Sequence, residues 1–167
     1  ESLKLGLADR DYYYGDPRFT KVPMDALLSD EYTKIRQGLV NMELASLSVR
    51  PGDPIKMKAL VDKPSKYRPG PGGTTTCVVA DKWGNFVAAT PSGNPPYNIC
   101  EPLGIAHGNR LRSLNTAKGH PNRIEPGKRP RITLTPTLVM KNGSPIMGIS
   151  VAGGDLQDQT TLNCLLN

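Results

Sequence analysis

Three observations predict an α+β fold. Residues 2–42 carry the helical period, residues 75–151 carry two strand–turn–strand patterns, and a glycine pair at 153–154 opens a last helix. At 167 residues the chain fits one domain with a sizeable core. A composition 37% hydrophobic and 22% charged, with no apolar run of bilayer length, fits a soluble protein with no membrane span. No charged n-region precedes an apolar core, so no targeting segment is visible and the compartment stays open. The chain starts at Glu1-Ser2-Leu3 without a methionine and stops in an apolar helical pattern at Thr160–Asn167, so a piece of something longer is expected.

The elements follow in order. Ser2 to Tyr14 reads as a helix with Leu3, Leu7 and Ala8 on one face, closed by Gly15-Asp16-Pro17. Pro23 to Leu28 reads as a short helical turn with proline near its first position. Ser29 caps a longer helix to about Met42, where Tyr32, Ile35, Arg36 and Leu39 keep the period although Gly38 weakens it. Between Arg50 and Gly73, five prolines and four glycines predict an exposed, irregular connector. Thr75–Ala80 and Phe86–Thr90 then flank Asp81-Lys82-Trp83-Gly84-Asn85, and Thr133–Lys141 and Pro145–Val151 flank Asn142-Gly143. Both hairpins are apolar at nearly every position, which predicts strands buried on both faces under helices. The long basic stretch from Pro91 to Pro130 between them is expected to be functional or disordered.

Charge and cysteine content narrow the chemistry. The formal charge is +6, and the whole excess lies between Arg110 and Arg131, where seven cations face Glu125 alone. Such a run raises an anionic partner, but only 5% of residues are aromatic and none interleave with it, so the run reads as a solvated loop face rather than a nucleic-acid groove. Cys77, Cys100 and Cys164 form no C-x-x-C pair, and only His107 and His120 are available beside them. No metal site is expected, and the thiols read as buried or inert.

Two stretches carry chemistry. Pro71-Gly72-Gly73 runs into Thr74-Thr75-Thr76 at the front edge of a β-branched strand. A threonine freed there as a new N-terminus would hold a hydroxyl nucleophile and an amine base on one residue. The plainer alternative is a strand start whose hydroxyls satisfy turn hydrogen bonds. Gly153-Gly154 at a helix start presents bare N–H groups and the positive dipole end, a corner suited to an oxyanion or simply to close packing.

Taken together, these pieces resemble the gamma-glutamyltranspeptidase family of N-terminal nucleophile hydrolases over almost the whole chain. Ala8-Asp9-Arg10, Gly15-Asp16-Pro17-Arg18-Phe19 and Val22-Pro23 are similar to the end of the family's large-subunit segment. Thr74-Thr75 with Asp81-Lys82-Trp83-Gly84-Asn85 resembles the start of its small subunit, and Lys128-Arg129-Pro130, Thr135-Pro136-Thr137 and Gly153-Gly154 follow in family order. The resemblance implies a fragment of a four-layer αββα sandwich, divided into a large-subunit segment at 1–73 and a small-subunit segment at 74–167. It implies self-cleavage between Gly73 and Thr74, with Thr74 then acting as nucleophile and its own general base. Thr75 and Ser92 match hydroxyls near the nucleophile, Asn94 matches a side chain near the substrate, and Gly153 and Gly154 match the oxyanion hole. No metal or organic cofactor is implied. The partners implied are a small amide or γ-glutamyl substrate and the rest of the precursor chain.

Departures from the family pattern shape the expected specificity. Thr76 stands where histidine is common. The acidic residue that grips a substrate α-amine falls near Arg112-Ser113, and the serine pair that holds its α-carboxylate falls on Ile132-Thr133. The chemistry looks retained while the γ-glutamyl grip does not. Arg110 and Arg112 fit an acyl group bearing a carboxylate without an ammonium, closer to the acylase or amidohydrolase branch. The expectation is a self-processing amidohydrolase or acyltransferase, inactive as this uncleaved chain. Two other classes stay open: a catalytically silent relative serving as a binding or structural module, and a basic nucleic-acid binder.

Overall fold

The computed structural model of the chain describes residues 1–61, 74–92, 99–106, 108 and 110–167. It mixes helices and strands as an α+β fold does, and packing divides it into two compact units, Glu1–Arg68 with Ser113–Arg131 and Pro69–Arg112 with Ile132–Asn167.

The first unit is built on α1 (Ser2–Tyr13), α2 (Met24–Leu27) and α3 (Asp30–Gln37). Helix α1 buries Leu5, Ala8 and Asp9, one residue round from the expected face, while Leu3 and Leu7 are only half-buried. The Ser29 hydroxyl accepts the Tyr32 N–H at 3.2 Å and caps α3 as expected. Helix α3 stops at Gln37, five residues early, because Gly38 closes it and the Leu39 and Val40 amides turn back to Arg36 and Gln37.

The shift of face in α1 has an electrostatic cause. Asp9 is buried with Arg36, which donates to both carboxylate oxygens at 3.0 and 3.2 Å. The Tyr32 hydroxyl and the Gly52 N–H complete the set at 3.0 and 2.7 Å. Arg36 also donates to the carbonyls of Leu5, Arg50 and Ala59. Burial pushes the Asp9 carboxyl up, against the pull of Gly52 and Arg36. This cluster corrects the expected exposed connector at its start: Pro51, Gly52 and Pro54 are buried, because Asp9 and Arg36 take up the backbone polar groups around them, while Ile55, Lys56, Lys58 and Leu60 are exposed as expected.

Residues 113–131 belong to the same unit, organised rather than disordered. Asp16, its side chain wholly buried, accepts from the Arg18 guanidinium at 2.8 Å and from the Arg129 backbone and guanidinium at 2.8 and 3.2 Å. These bonds hold its carboxyl far below the ordinary range, Arg18 contributing most. Gly15, which follows the end of α1, is absent from the positive-φ residues. Its role is room, since a Cβ there would collide with the Pro121 carbonyl.

The second unit holds the hairpins. β1 (Cys77–Ala80) pairs antiparallel with β2 (Phe86–Ala89), and β5 (Thr137–Lys141) with β6 (Ser144–Ile149) across Asn142 and Gly143, both at positive φ. Asp81 caps the first turn, accepting from the Trp83 and Asn85 amides, each at 2.9 Å. A two-residue pair, β3 (Ile99–Cys100) with β4 (Ile105–Ala106), was not expected. Helix α4 (Gln157–Leu166) follows a 3₁₀ turn over Gly154–Leu156.

The expected burial under helices is not observed. Every residue of β1 is exposed, as are Val87, Leu138 and Ile146, because α4 is the only α-helix among the unit's described residues. The two hairpins do meet: β2 runs beside β6, and a Cβ on Gly148 would lie 2.9 Å from Val78 Cγ1. Of the thiols expected to be buried or inert, Cys77 and Cys164 are not buried, because their elements lie uncovered, and Cys100 is half-buried.

Candidate active site

Backbone register builds the centre of the site. The ladder that pairs Cys77 with Ala89 and Ala80 with Phe86, continued toward the chain entry, sets Thr75 opposite Pro91 and Thr74 opposite Ser92. The Thr75 N–H donates to the Pro91 carbonyl at 3.0 Å, extending the pairing beyond the strands. The Thr74 and Ser92 hydroxyls meet at 3.0 Å, both half-buried. An 18-residue spacing thus becomes a direct contact because the Asp81–Asn85 turn fixes where the chain reverses. Arg110 joins from the 3₁₀ turn at Arg110–Ser113, its guanidinium 3.4 Å from the Ser92 oxygen, at the outer limit of a hydrogen bond.

The end of β2 is tied to the end of β6. Thr90 and Ser150 hydroxyls meet at 2.6 Å, and Ser150 Oγ donates to the Ala89 carbonyl at 2.7 Å. The strand leading to Ser92 and the strand leading to the glycine corner therefore leave the hairpins at the same end. Gly153 has φ +140° and Gly154 φ +59°, conformations that side chains rarely adopt. Among the described residues no acceptor takes the N–H of either glycine, while the Gly153 carbonyl accepts from Leu156 at 3.2 Å. Two free amides at a helix start can receive an oxyanion.

Of the remaining expected residues, Thr75 is exposed. Arg112 is exposed and Thr133 half-buried. Ser113 packs with the first unit, its hydroxyl donating to the Arg131 carbonyl at 2.8 Å. Gly73, Asn94 and His107 lie outside the described residues. Among the described residues no three His, Cys, Asp or Glu side chains gather as metal ligands. A cleft of ≈ 430 Å³ in the first unit, lined in part by Tyr12, Phe19, His120 and Lys128, includes none of the expected site residues. Sequence reasoning missed the Thr90–Ser150 tie and the buried Gln157. Neither breaks the local period, and only the meeting of distant strands exposes them.

The gamma-glutamyltranspeptidase family matches residues 1–167. The chain is 31% identical to the glutathione hydrolase proenzyme of Bacillus subtilis (strain 168) over 99% of its own length and 30% of that protein's. It is 27% identical to the acylase ACY 1 proenzyme of Pseudomonas sp. (strain SE83), covering all of this chain and 28% of that one. The solved structure of LmbA2991HD shares 41% identity at a TM-score of 0.69, over 98% of this chain and 29% of that chain. The chain thus spans about 30% of the length of the curated relatives it matches. No helix among the described residues is long and apolar enough to cross a membrane. With its whole length matched, the chain belongs to the gamma-glutamyltranspeptidase family.

Proposed function

We propose that this chain is part of a self-processing amidohydrolase or acyltransferase that cuts its own backbone between Gly73 and Thr74 and then uses Thr74 as nucleophile. The observation that carries the reading is the 3.0 Å contact between the Thr74 and Ser92 hydroxyls. With Ser92 as donor, the Thr74 oxygen is oriented and its own proton is left for another base. That base is the α-amine released by cleavage, whose reference pKa of about 7.7–8.0 leaves a useful unprotonated fraction near neutral pH.

In the reaction, Thr74 Oγ1 bonds to the substrate carbonyl carbon and its proton passes to the α-amine. The amides of Gly153 and Gly154 receive the oxyanion. As the C–N bond breaks, the proton goes to the leaving amine, and an ester on Thr74 remains. Water then hydrolyses that ester to the free acid, or a second amine takes the acyl group. In the uncleaved chain the Thr74 nitrogen is an amide, so the base is missing and the chain is inactive.

Arg110 beside Ser92 supports an acyl group that carries a carboxylate, with Arg112 and Thr133 as further substrate contacts. The segment boundary at 73/74 is a processing boundary, distinct from the division into packed units. The rest of the precursor would supply the layers that cover the exposed apolar strands and complete the αββα sandwich.

Mass spectrometry of the full-length parent tests the proposal. It should show a break before Thr74, and Thr74→Ala should persist as one chain. Normal cleavage of the alanine variant removes Thr74 from its role and favours a silent relative.

A further inference from the structure

Gln157 is 1% exposed, a polar side chain enclosed at the first turn of α4. Its Nε2 donates to the Val151 carbonyl at 2.5 Å and to the Thr135 hydroxyl at 2.9 Å. Thr135, itself buried, donates its hydroxyl proton to the same Val151 carbonyl at 3.0 Å. The orientation of the Gln157 amide follows from chemistry: a carbonyl only accepts, so the nitrogen must face Val151. Among the described residues its Oε1 has no partner, so there the amide is held by its two donors alone.

The bond from Gln157 to Val151 closes a ring around Ala152, Gly153, Gly154, Asp155 and Leu156. Inside that ring lie both positive-φ glycines and both free amides. A pair of glycines is the most pliable dipeptide a chain can have. Two N–H groups that are to receive one oxyanion from such a dipeptide need fixing at both ends. Val151 is the upstream end, pinned twice, and Gln157 is the downstream end, anchored in α4.

We propose that Gln157 is a positioning residue which, with Thr135 as one unit, fixes the aim of the Gly153 and Gly154 N–H groups. The inference rests on the proposed role of those amides as the oxyanion site. It identifies what holds them, since their backbone conformation does not hold itself.

The test uses the full-length, processed parent labelled with ¹⁵N-glycine. Gln157→Met keeps length and removes both donors, and Thr135→Val keeps shape and removes the hydroxyl. The Gly153 and Gly154 amide signals should shift or broaden in both variants. The kcat for amide turnover should fall roughly 10–100-fold with KM within about threefold, and a boronate mimic of the tetrahedral intermediate should weaken in step with kcat. The double variant should lose little beyond Gln157→Met, as members of one unit do. A lowered thermal midpoint with kcat and glycine signals unchanged overturns the inference, and so does a loss expressed in KM alone. Should Gln157→Met fail to fold, Thr135→Val decides by the same readouts. If the wild-type parent turns over no amide while the glycine signals still move, the enzymatic reading fails and the clamp stands.

Discussion

Replacing Ser92 by alanine separates two accounts of how Thr74 loses its proton. The two hydroxyls meet at 3.0 Å, a neutral hydrogen bond between half-buried groups. Such a bond contributes about 0.5–1.5 kcal/mol, so if Ser92 only orients the nucleophile, kcat/KM should fall roughly 2–13-fold. If Ser92 instead relayed the proton as a required acid–base group, the loss should be about 10²–10⁴-fold. The Arg110 contact at 3.4 Å does not change this ranking, since it is at the edge of bonding distance. The assay is steady-state turnover of a chromogenic monoamide by the processed parent, with processing measured separately by mass. A loss beyond about 10²-fold in fully processed Ser92→Ala refutes the assignment of the α-amine as sole base. No loss at all refutes the contact as a feature of the working enzyme.

Two further outcomes concern the first unit. Arg36→Met leaves Asp9 buried without its cation and frees the carbonyls of Leu5, Arg50 and Ala59, so it should destabilise the protein by about 3–5 kcal/mol in urea titration. A cost below about 1 kcal/mol would show that the cluster relaxes or admits water. The Asp16 carboxyl is held far below its ordinary range by Arg18 and Arg129, so its contribution is complete at neutral pH. That contribution should be lost progressively as pH falls below the unfolded value of about 3.9, because the unfolded chain then binds the proton first. Thermal midpoints between pH 6 and 2 should drop in the wild type and less steeply in Asp16→Asn; parallel slopes would assign the acid sensitivity elsewhere.

What the sequence made legible was local. The Asn142-Gly143 reversal and the Ser29 cap are decided within a few residues by backbone φ and one side-chain oxygen. The stretch around Pro51 and Gly52 was misread as exposed because its burial is decided by Asp9 and Arg36, charged residues that no hydrophobic period registers. Gly15 looked like a cap and is a close-approach glycine, a distinction that depends on Pro121 more than 100 residues away. Hydrophobic strands implied a covering layer, and the described residues supply only α4 in that unit. Thr74 and Ser92 lie between these cases. Each was marked by resemblance, yet their contact follows from hairpin register, which the turn at Asp81–Asn85 already encodes.

The proposed chemistry and the proposed specificity rest on different kinds of structure, and this explains how one can persist while the other changes. The nucleophile pair is set by strand register and the oxyanion corner by backbone at positive φ, tied through Thr90–Ser150 and Thr135–Val151–Gln157. A substitution in any of these shifts backbone and disturbs several bonds together. The acyl group would be read by side chains at Arg110, Arg112 and Thr133, of which Arg112 is exposed and Thr133 half-buried. Exchanging such side chains alters charge at the substrate while leaving register and glycine geometry in place. On the proposed mechanism, an arginine-bearing loop beside the hydroxyl pair is therefore the expected pattern for a change of acyl group, and not for loss of catalysis.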